Sequence, residues 1–334
     1  MKVTIYDVAE KANVSIATVS KVINNRGRIS TVTREKVVRA MEELNYHPSA
    51  VASALTGKRT NTIGLLIPDI SNPFFAEIAR HIENRAHQLG LSVIMCSTDY
   101  NLEKEAKYIE LLRRKQVDGL ILSSGFQSDD ILQDLITNKL PVAMIAQHNP
   151  SISVHMVSID DYKGGYLATN HLLSLGHSNI GIIGENVRSS NLRIYGYRDA
   201  YQDNGLQVNE ENITRTDASA ANGYTIASKL LNRSDRPTAI FAINDLLAVG
   251  AFQAARELQL RIPEDLSIVS FDNTILAKTT VPALTSIAQP VEEMGSKIVE
   301  LLLEEIEEHK EKKEQILFVP ELIVRGSSGV LSIC

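Results

Sequence analysis

Apolar residues recur at helical spacing in two short segments near the N-terminus, within the stretch TIYDVAEKANVSIATVSKVIN from Thr4 to Asn24. The apolar positions are Ile5, Val8, Ala9 and Ala12, followed by Ile16, Val19, Val22 and Ile23. Between the segments, Asn13 can adopt the left-handed backbone of a tight turn, and Ser15 can cap the second segment. Thr4 can cap the first segment, with Asp7 in its opening turn. The pattern predicts a helix-turn-helix.

The outer face of the second predicted helix offers hydroxyl groups, an amide and a cation. Such groups can contact base edges and phosphates. The face consists of Ala17, Thr18, Ser20, Lys21 and Asn24. A surface helix pair without any role in nucleic-acid binding has the same local pattern, so the motif alone leaves both interpretations open.

The distribution of charge favours nucleic-acid binding. Residues 1–60 contain ten Lys and Arg against five Asp and Glu, a net charge of +5, whereas the whole chain carries −6. The rest of the chain therefore carries −11. A basic head on an acidic body indicates a polyanionic partner at the head.

A third helix is predicted to follow and to close a small core. It runs from about Thr31 to Leu44 and begins at the capping residue Ser30. Its predicted inward face consists of Val37, Val38, Met41 and Leu44.

The segment after the third helix is predicted to be a weak helix. Pro48 disfavours helix at His47, and residues 49–55 (SAVASAL) can then form about two turns. A helix this short is unstable alone in water, so we expect it to order only against a partner.

From Thr62 onward, apolar runs typical of strands alternate with amphipathic helices. The predicted strands are 62–67, 92–96, 119–122, 142–145 and 156–159, then 179–183, 239–243 and 266–271. The predicted helices are 74–89, 102–115, 129–138, 163–175, 191–204, 222–231 and 245–258. The pattern predicts two doubly wound parallel sheets, each with a ligand crevice beyond the carboxyl ends of its strands.

Composition is that of an ordinary globular protein, with 334 residues, 44% apolar and 22% charged. The length predicts two or three domains. The N-terminus lacks the apolar core of a signal peptide, and no apolar run is long enough to span a membrane, so a cytoplasmic location is expected. Two cysteines suit a reducing compartment.

No catalytic or cofactor-binding pattern is recognisable. His171 and His177 lack further ligands at metal spacing, and the glycines of residues 164–165 and 181–184 do not form a dinucleotide-binding fingerprint. We therefore expect no metal, no cofactor and no enzymatic activity.

Eight blocks along the chain resemble one family, the lac repressor/galactose repressor transcription regulators. Within it the chain is most similar to the degradation-activator and catabolite-control branch of Gram-positive bacteria. The blocks are the opening stretch, then residues 33–37 (TREKV), 44–55, 63–75, 117–119, 171–184, 239–251 and 271–274. They cover essentially the whole chain in order.

The resemblance implies an α/β architecture with an N-terminal all-α helix-turn-helix head. A hinge helix joins this head to a two-lobed, periplasmic-binding-protein-like core of doubly wound parallel sheets. The implied divisions are 1–47 for the head and 48–61 for the hinge, then 62–160 with 290–319 and 161–289 with 320–334 for the two lobes. The lobes are expected to be connected near Asp160, Gln289 and Pro320.

The resemblance also implies binding to double-stranded operator DNA as a homodimer. In the family the second helix enters the major groove, and a leucine at the position of Leu55 opens the central base step, as apolar wedges do. The candidate DNA-contacting residues are Ile5, Tyr6, Ser15, Ile16, Ala17, Thr18, Ser20, Lys21, Asn24, Ser30, Tyr46, Ser49, Ala52 and Leu55. Most relatives have arginine at the position of Lys21, so base discrimination is expected to differ there.

The expected effector residues are Phe74, Phe75, Arg193, Asn244 and Asp272, which correspond to family motif positions. The two phenylalanines can stack on a ligand ring or serve mainly as core. Sugar-binding relatives tend to have an aspartate at the position of Ala146, and several have a covering aromatic residue at that of Ala218. Both absences weaken the case for a conventional sugar and leave open a different effector or none.

The leading hypothesis is a sequence-specific transcriptional regulator, with repression favoured. It would bind a pseudo-palindromic operator and respond to a small polar metabolite in the cleft between the lobes. A soluble sugar-type binding protein without a DNA role is the alternative, and a Rossmann-type enzyme is a third, disfavoured candidate.

A phosphocarrier corepressor, which catabolite-control regulators use, is not expected. The docking pattern retains Gln289, Pro290 and Gly295, but Glu292 replaces its aromatic residue and residues 299–300 (Val-Glu) replace its Met-Arg pair. Glu300 would repel a phosphoserine.

Overall fold

The chain forms two compact units, Met1–Thr60 and Asn61–Cys334. The computed structural model describes residues 3–23, 27–46, 59–124, 126–147, 149, 151–308 and 312–331. The predicted hinge helix at 49–55 and the candidate residues Asn24, Ser49, Ala52 and Leu55 lie outside the described residues.

The first unit consists of helices α1 (Ile5–Ala12), α2 (Ile16–Ile23) and α3 (Thr31–Glu43). Asn13 has φ 52°, the left-handed conformation predicted for the turn. The Ser15 hydroxyl accepts a hydrogen bond from the Thr18 backbone N–H at 3.1 Å, and the Ser30 hydroxyl accepts one from that of Thr33 at 3.2 Å. The predicted caps at Ser15 and Ser30 are therefore confirmed, and the helix-turn-helix forms by local interactions.

The core of the first unit is small, and its membership differs from the prediction at one residue. It contains Val8, Ala9, Ala12, Val19, Val22, Val37 and Ala40. Val38 was predicted to face inward and is 42% exposed, so that prediction is wrong. The inward positions of α3 are instead Val37, Ala40, Met41 and Leu44. Successive residues of a helix are rotated by about 100° around its axis, so Val38 points away from the face that Val37 occupies.

The second unit contains two six-stranded sheets. The first has strand order β11-β5-β4-β3-β1-β2, and all its pairs are parallel. Its strands are β1 (Thr62–Ile67), β2 (Ser92–Ser97), β3 (Gly119–Ser123), β4 (Val142–Ile145), β5 (His155–Ile159) and β11 (Gln315–Phe318). Its helices are α4 (Pro73–Gln88), α5 (Leu102–Arg114), α6 (Asp129–Thr137) and α12 (Val291–Glu308).

The second sheet has strand order β12-β10-β9-β8-β6-β7 and one antiparallel edge, β12 against β10. Its strands are β6 (Ile180–Gly184), β7 (Ile213–Arg215), β8 (Ala239–Ala242), β9 (Ser267–Asp272), β10 (Thr285–Ala288) and β12 (Glu321–Ile323). Its helices are α7 (Asp161–Ser174), α8 (Arg188–Asp203), α9 (Ala220–Leu231), α10 (Asp245–Glu257) and α11 (Ile275–Thr279). Strands β7, β10, β11 and β12 and helices α11 and α12 were not predicted.

The chain passes between the two sheets three times, after β5, after β10 and after β11. The carboxyl ends of strands from both sheets consequently line one cleft. Ala146 follows β4 on one side of it, and Glu185, Asn244 and Asp272 stand at the ends of β6, β8 and β9 on the other. This is the edge at which ligands bind in open α/β sheets.

Helices α7 and α8 are in backbone contact at two glycines. A Cβ atom on Gly165 would lie 2.1 Å from the Arg193 carbonyl oxygen, and one on Gly196 would lie 2.1 Å from that of Tyr162. Neither position has space for a larger residue. Because Gly165 contacts the backbone of Arg193 itself, this packing places Arg193 at the cleft.

Candidate functional site

The surface of α2 is the candidate nucleic-acid interface. Val19 and Val22 are buried in the core of the first unit, whereas Ile16, Ala17 and Lys21 are exposed. Thr18 and Ser20 are half-buried, and the Thr18 hydroxyl lies 2.9 Å from that of Ser15. One face of the helix holds the unit together, and the opposite face is available for binding.

The remaining candidate DNA-contacting residues of the first unit surround this face or cap its helices. Tyr6 on α1 is exposed, as are the capping residues Ser15 and Ser30. Ile5 and Tyr46 are partly buried against the core. Hydroxyls that cap a helix keep a second lone pair, so capping does not prevent contact with a phosphate.

The five predicted effector residues come together in one cavity. Its volume is about 40 Å³, close to that of a single water molecule. The lining residues among those predicted are Phe74, Phe75, Arg193, Asn244 and Asp272. Since sites for small organic ligands span roughly 300–1,000 Å³, a ligand of that size requires the two sides of the cleft to move apart.

Arg193 is held tightly by buried partners. Its Nε and Nη2 atoms lie 2.9 Å and 2.8 Å from Asp161 Oδ1, and its Nη1 donates to the Ile243 carbonyl oxygen at 2.5 Å. The guanidinium carbon is 3.5 Å from the centre of the Phe271 ring, a cation–π contact. Arg193 therefore has a fixed position and a buried ion-pair partner.

Asn244 has two structural roles. Its Oδ1 accepts a hydrogen bond from the Leu247 N–H at 2.9 Å, which caps α10, and its Nδ2 donates to Glu185 Oε2 at 2.8 Å. Burial raises the pKa of Glu185, while Arg193 and the bond from Asn244 oppose the rise. Glu185 is thus a cleft carboxylate fixed by the amide.

Asp272 is a second carboxylate in the cleft. It is 7% exposed, its φ is 102°, and its Oδ1 accepts a hydrogen bond from Gln289 Nε2 at 2.8 Å. Burial raises its pKa well above the ordinary value, against the opposing effect of Arg193. A non-glycine residue in this backbone region is strained, and such strain is concentrated at functional sites.

Phe74 and Phe75 belong to the core and also border the cavity. Both are buried in the hydrophobic core of the first lobe, and their rings meet edge-on with centroids 5.1 Å apart. Both also line the cavity. The side of the cleft formed by α4 is therefore rigid and apolar.

Tyr100 and Glu185 are among the cavity residues that were not recognised in the sequence. Tyr100 supplies an aromatic ring and Glu185 a carboxylate, the two groups missing at Ala218 and Ala146. Glu185 directly follows β6, so the rule that ligands bind beyond strand ends could have identified it. Tyr100 lies in a loop with φ 53°, which no local pattern in the sequence indicates.

Comparison with known proteins accounts for both units. Residues 4–49 match the family described as bacterial regulatory proteins, lacI family, and residues 169–328 match the periplasmic binding protein-like domain. The HTH-type transcriptional regulator DegA of Bacillus subtilis (strain 168) is 48% identical, over 99% of this chain and 100% of that protein. Catabolite control protein A of Priestia megaterium is 37% identical, over 90% of this chain and 92% of that protein.

Solved structures show the same arrangement of elements. The lac repressor dimer bound to operator and the anti-inducer ONPF superimposes with a TM-score of 0.87 at 31% identity, covering 99% of this chain and 100% of that one. The CelR–cellobiose complex has a TM-score of 0.75 at 29% identity, covering 97% and 99%.

Proposed function

Because the chain belongs to the lacI family of bacterial regulatory proteins and is a DNA-binding transcriptional regulator, we propose that the exposed face of α2 reads a pseudo-palindromic operator. The regulator acts as a homodimer and represses transcription in the cytoplasm, and a small polar metabolite in the cleft modulates it. The observation that carries this proposal is the outward face of α2 in a folded helix-turn-helix, where Lys21 is exposed and the hydroxyls of Thr18 and Ser20 are half-buried.

Each part of the chain has its own proposed role. Residues 1–47 read DNA, 48–61 form the hinge, 62–160 with 290–319 form one effector lobe, and 161–289 with 320–334 form the other. The fourteen DNA-contacting residues and five effector residues named from the sequence are assigned to these roles. Their placement on an exposed helix face and in one cavity supports the assignment for those that the structure describes.

Regulation without catalysis is the simplest use of this cleft. The relatives named above are regulators, and the described residues contain no group of three or more His, Cys, Asp or Glu side chains that could hold a metal ion. No helix in the described part of the chain is long and apolar enough to cross a membrane.

The experiment is selection of duplexes from a randomised DNA pool, followed by gel shift with the enriched sequences. Full-length protein should enrich a two-fold symmetric sequence, whereas protein lacking residues 1–58 should bind none. Affinity should fall log-linearly with salt, with a slope of about −0.9 for each phosphate contacted. Retention of specific binding by the truncated protein would refute the proposal.

We also propose that α12 does not receive a phosphoserine carrier. Glu300 accepts hydrogen bonds from Arg85 Nε at 3.1 Å and Nη2 at 2.7 Å, so the Arg85 guanidinium is already bound to a carboxylate. Calorimetric titration with the serine-phosphorylated carrier should give no heat of binding. A phosphate-dependent micromolar complex would contradict this.

A further inference from the structure

We propose that the ligand of the cleft is a small hydroxylated amine, bound as its ammonium form by Glu185 and Asp272. This inference rests on the proposed role of the cleft as an effector site and specifies the chemical class of its ligand. It follows from three features of the described residues: the hydrogen bonding of the buried carboxylates, the commitment of the cleft donors, and the charge balance.

One buried carboxylate of the same lobe, that of Asp245, has both oxygens hydrogen-bonded to protein donors. Asp245, at the start of α10, accepts hydrogen bonds from the Ser270 hydroxyl, the Ser286 hydroxyl and both the N–H and hydroxyl of Thr274. Both of its oxygens are engaged. Asp245 is therefore a structural carboxylate, stabilised by neutral donors.

Glu185 and Asp272 differ from Asp245 in both bonding and location. Among the described residues, the carboxylate of Glu185 accepts one hydrogen bond, from Asn244, and that of Asp272 accepts one, from Gln289. Both side chains line the cavity. A carboxylate has about four acceptor sites, so each retains acceptor capacity that a donor in the cleft can use.

Three of the residues that line the cleft have donors already bonded to protein acceptors. The amides of Asn244 and Gln289 donate to Glu185 and Asp272, and Arg193 donates to Asp161 and to the Ile243 carbonyl. An anionic ligand would have to displace these bonds. A ligand that donates hydrogen bonds would add to them.

The charges of the residues that line the cavity also favour a cationic ligand. Arg193 and Asp161 form an ion pair, which leaves Glu185 and Asp272 without a cation of their own in the described lining. Burial raises the pKa of Tyr100, and the nearby carboxylates Glu185, Asp69, Asp272 and Asp217 raise it further. Tyr100 thus lies near four carboxyl groups, and an ammonium group bound beside it would favour their ionised forms and be attracted by them.

The other lining residues suit the carbon skeleton of such a ligand. Phe74 and Phe75 offer an apolar wall, and Tyr100 offers a further ring with a hydroxyl group. Aromatic rings also attract cations through their faces. The combination of apolar walls with a few acceptors is typical of small-molecule sites, and here the acceptors are carboxylates.

The test is a charge series on matched sugar rings. Glucosamine, galactosamine and mannosamine are compared by calorimetry with their neutral parent hexoses, their N-acetyl derivatives and their 6-phosphates, using full-length protein. We expect at least one free amine to bind at least tenfold more tightly than its neutral and phosphorylated counterparts. Glu185→Gln, which preserves the shape of the side chain, should remove most of that preference.

Glu264→Gln is the control, because it removes one exposed carboxylate of the same lobe outside the cavity and should leave the preference unchanged. Thermal unfolding of both variants verifies that they are folded. Tighter binding of a neutral or phosphorylated sugar would overturn the amine inference while leaving the effector site intact. If no compound in the series bound, the amine inference would fail, whereas DNA binding is tested separately.

Discussion

The exposed face of α2 and the cleft between the sheets are both polar, but they are built in opposite ways. On α2 the functional side chains project from a helix whose other face is held by Val19 and Val22. In the cleft, Arg193, Asn244 and Asp272 are buried and are bonded to other protein groups. Substitutions on α2 should therefore change DNA binding with little effect on stability, whereas substitutions in the cleft should change both.

The largest effect should come from Arg193→Ala. Removing the guanidinium leaves Asp161 buried without its cation, which costs roughly 3–5 kcal/mol of unfolding free energy. Denaturant unfolding of the full-length protein measures the loss. Arg198→Ala is the matched control on the same helix, because Arg198 forms an exposed ion pair with Glu210, and such pairs contribute about 0–1 kcal/mol. Similar losses in both variants would contradict the comparison.

A second substantial effect is expected for Gly165→Ala. The added methyl group would meet the backbone of Arg193, so α7 and α8 must separate, at a cost of about 1–3 kcal/mol. Thermal unfolding should show the loss, and ligand affinity in the cleft should fall because Arg193 moves. Lys163→Ala, an exposed substitution on α7, should change neither. A Gly165→Ala protein with unchanged stability would show that the contact is easily relieved.

Lys21→Ala should show the reverse behaviour. We expect roughly tenfold weaker binding to the selected operator and a relaxed sequence preference, with unfolding free energy unchanged within about 0.5 kcal/mol. Gel shifts against matched and mismatched duplexes measure both properties. Lys36→Ala removes the same charge from an exposed position on α3 and should leave sequence preference intact. Equal effects of the two variants would remove Lys21 from base recognition.

Local interactions explain why the first unit was largely predictable from the sequence. The caps of α2 and α3 each join residues three apart, and the turn depends on Asn13 alone. Two buried strands were also predictable, since β1 and β4 have the predicted bounds. Strands β7 and β12, with three residues each and partial exposure, carry too short a pattern to recognise.

The cleft was predictable only in part, because its chemistry depends on contacts between distant residues. Family motifs indicated Arg193, Asn244 and Asp272 but not the groups they bind. Asn244 and Glu185 are separated by 59 residues in the sequence. No local pattern could therefore show that the Asn244 amide donates a hydrogen bond to the Glu185 carboxylate. The polarity of the cleft, and with it the expected ligand, emerges only from the folded chain.

The smallest effect on stability is expected for Val38. Its substitution tests whether exposed side chains of the first unit contribute to the free energy of unfolding. Val38→Ala should leave the unfolding free energy of the head unchanged or slightly higher, because Val38 is exposed and alanine has the higher helix propensity. Val37→Ala, one position earlier and fully buried, should cost roughly 2 kcal/mol. Hydrogen exchange of α3 amides measures both local stabilities. A loss for Val38→Ala as large as that for Val37→Ala would mean that α3 packs on a second surface. Exposure in the first unit would then not imply a small effect on stability, as it is expected to do on α2.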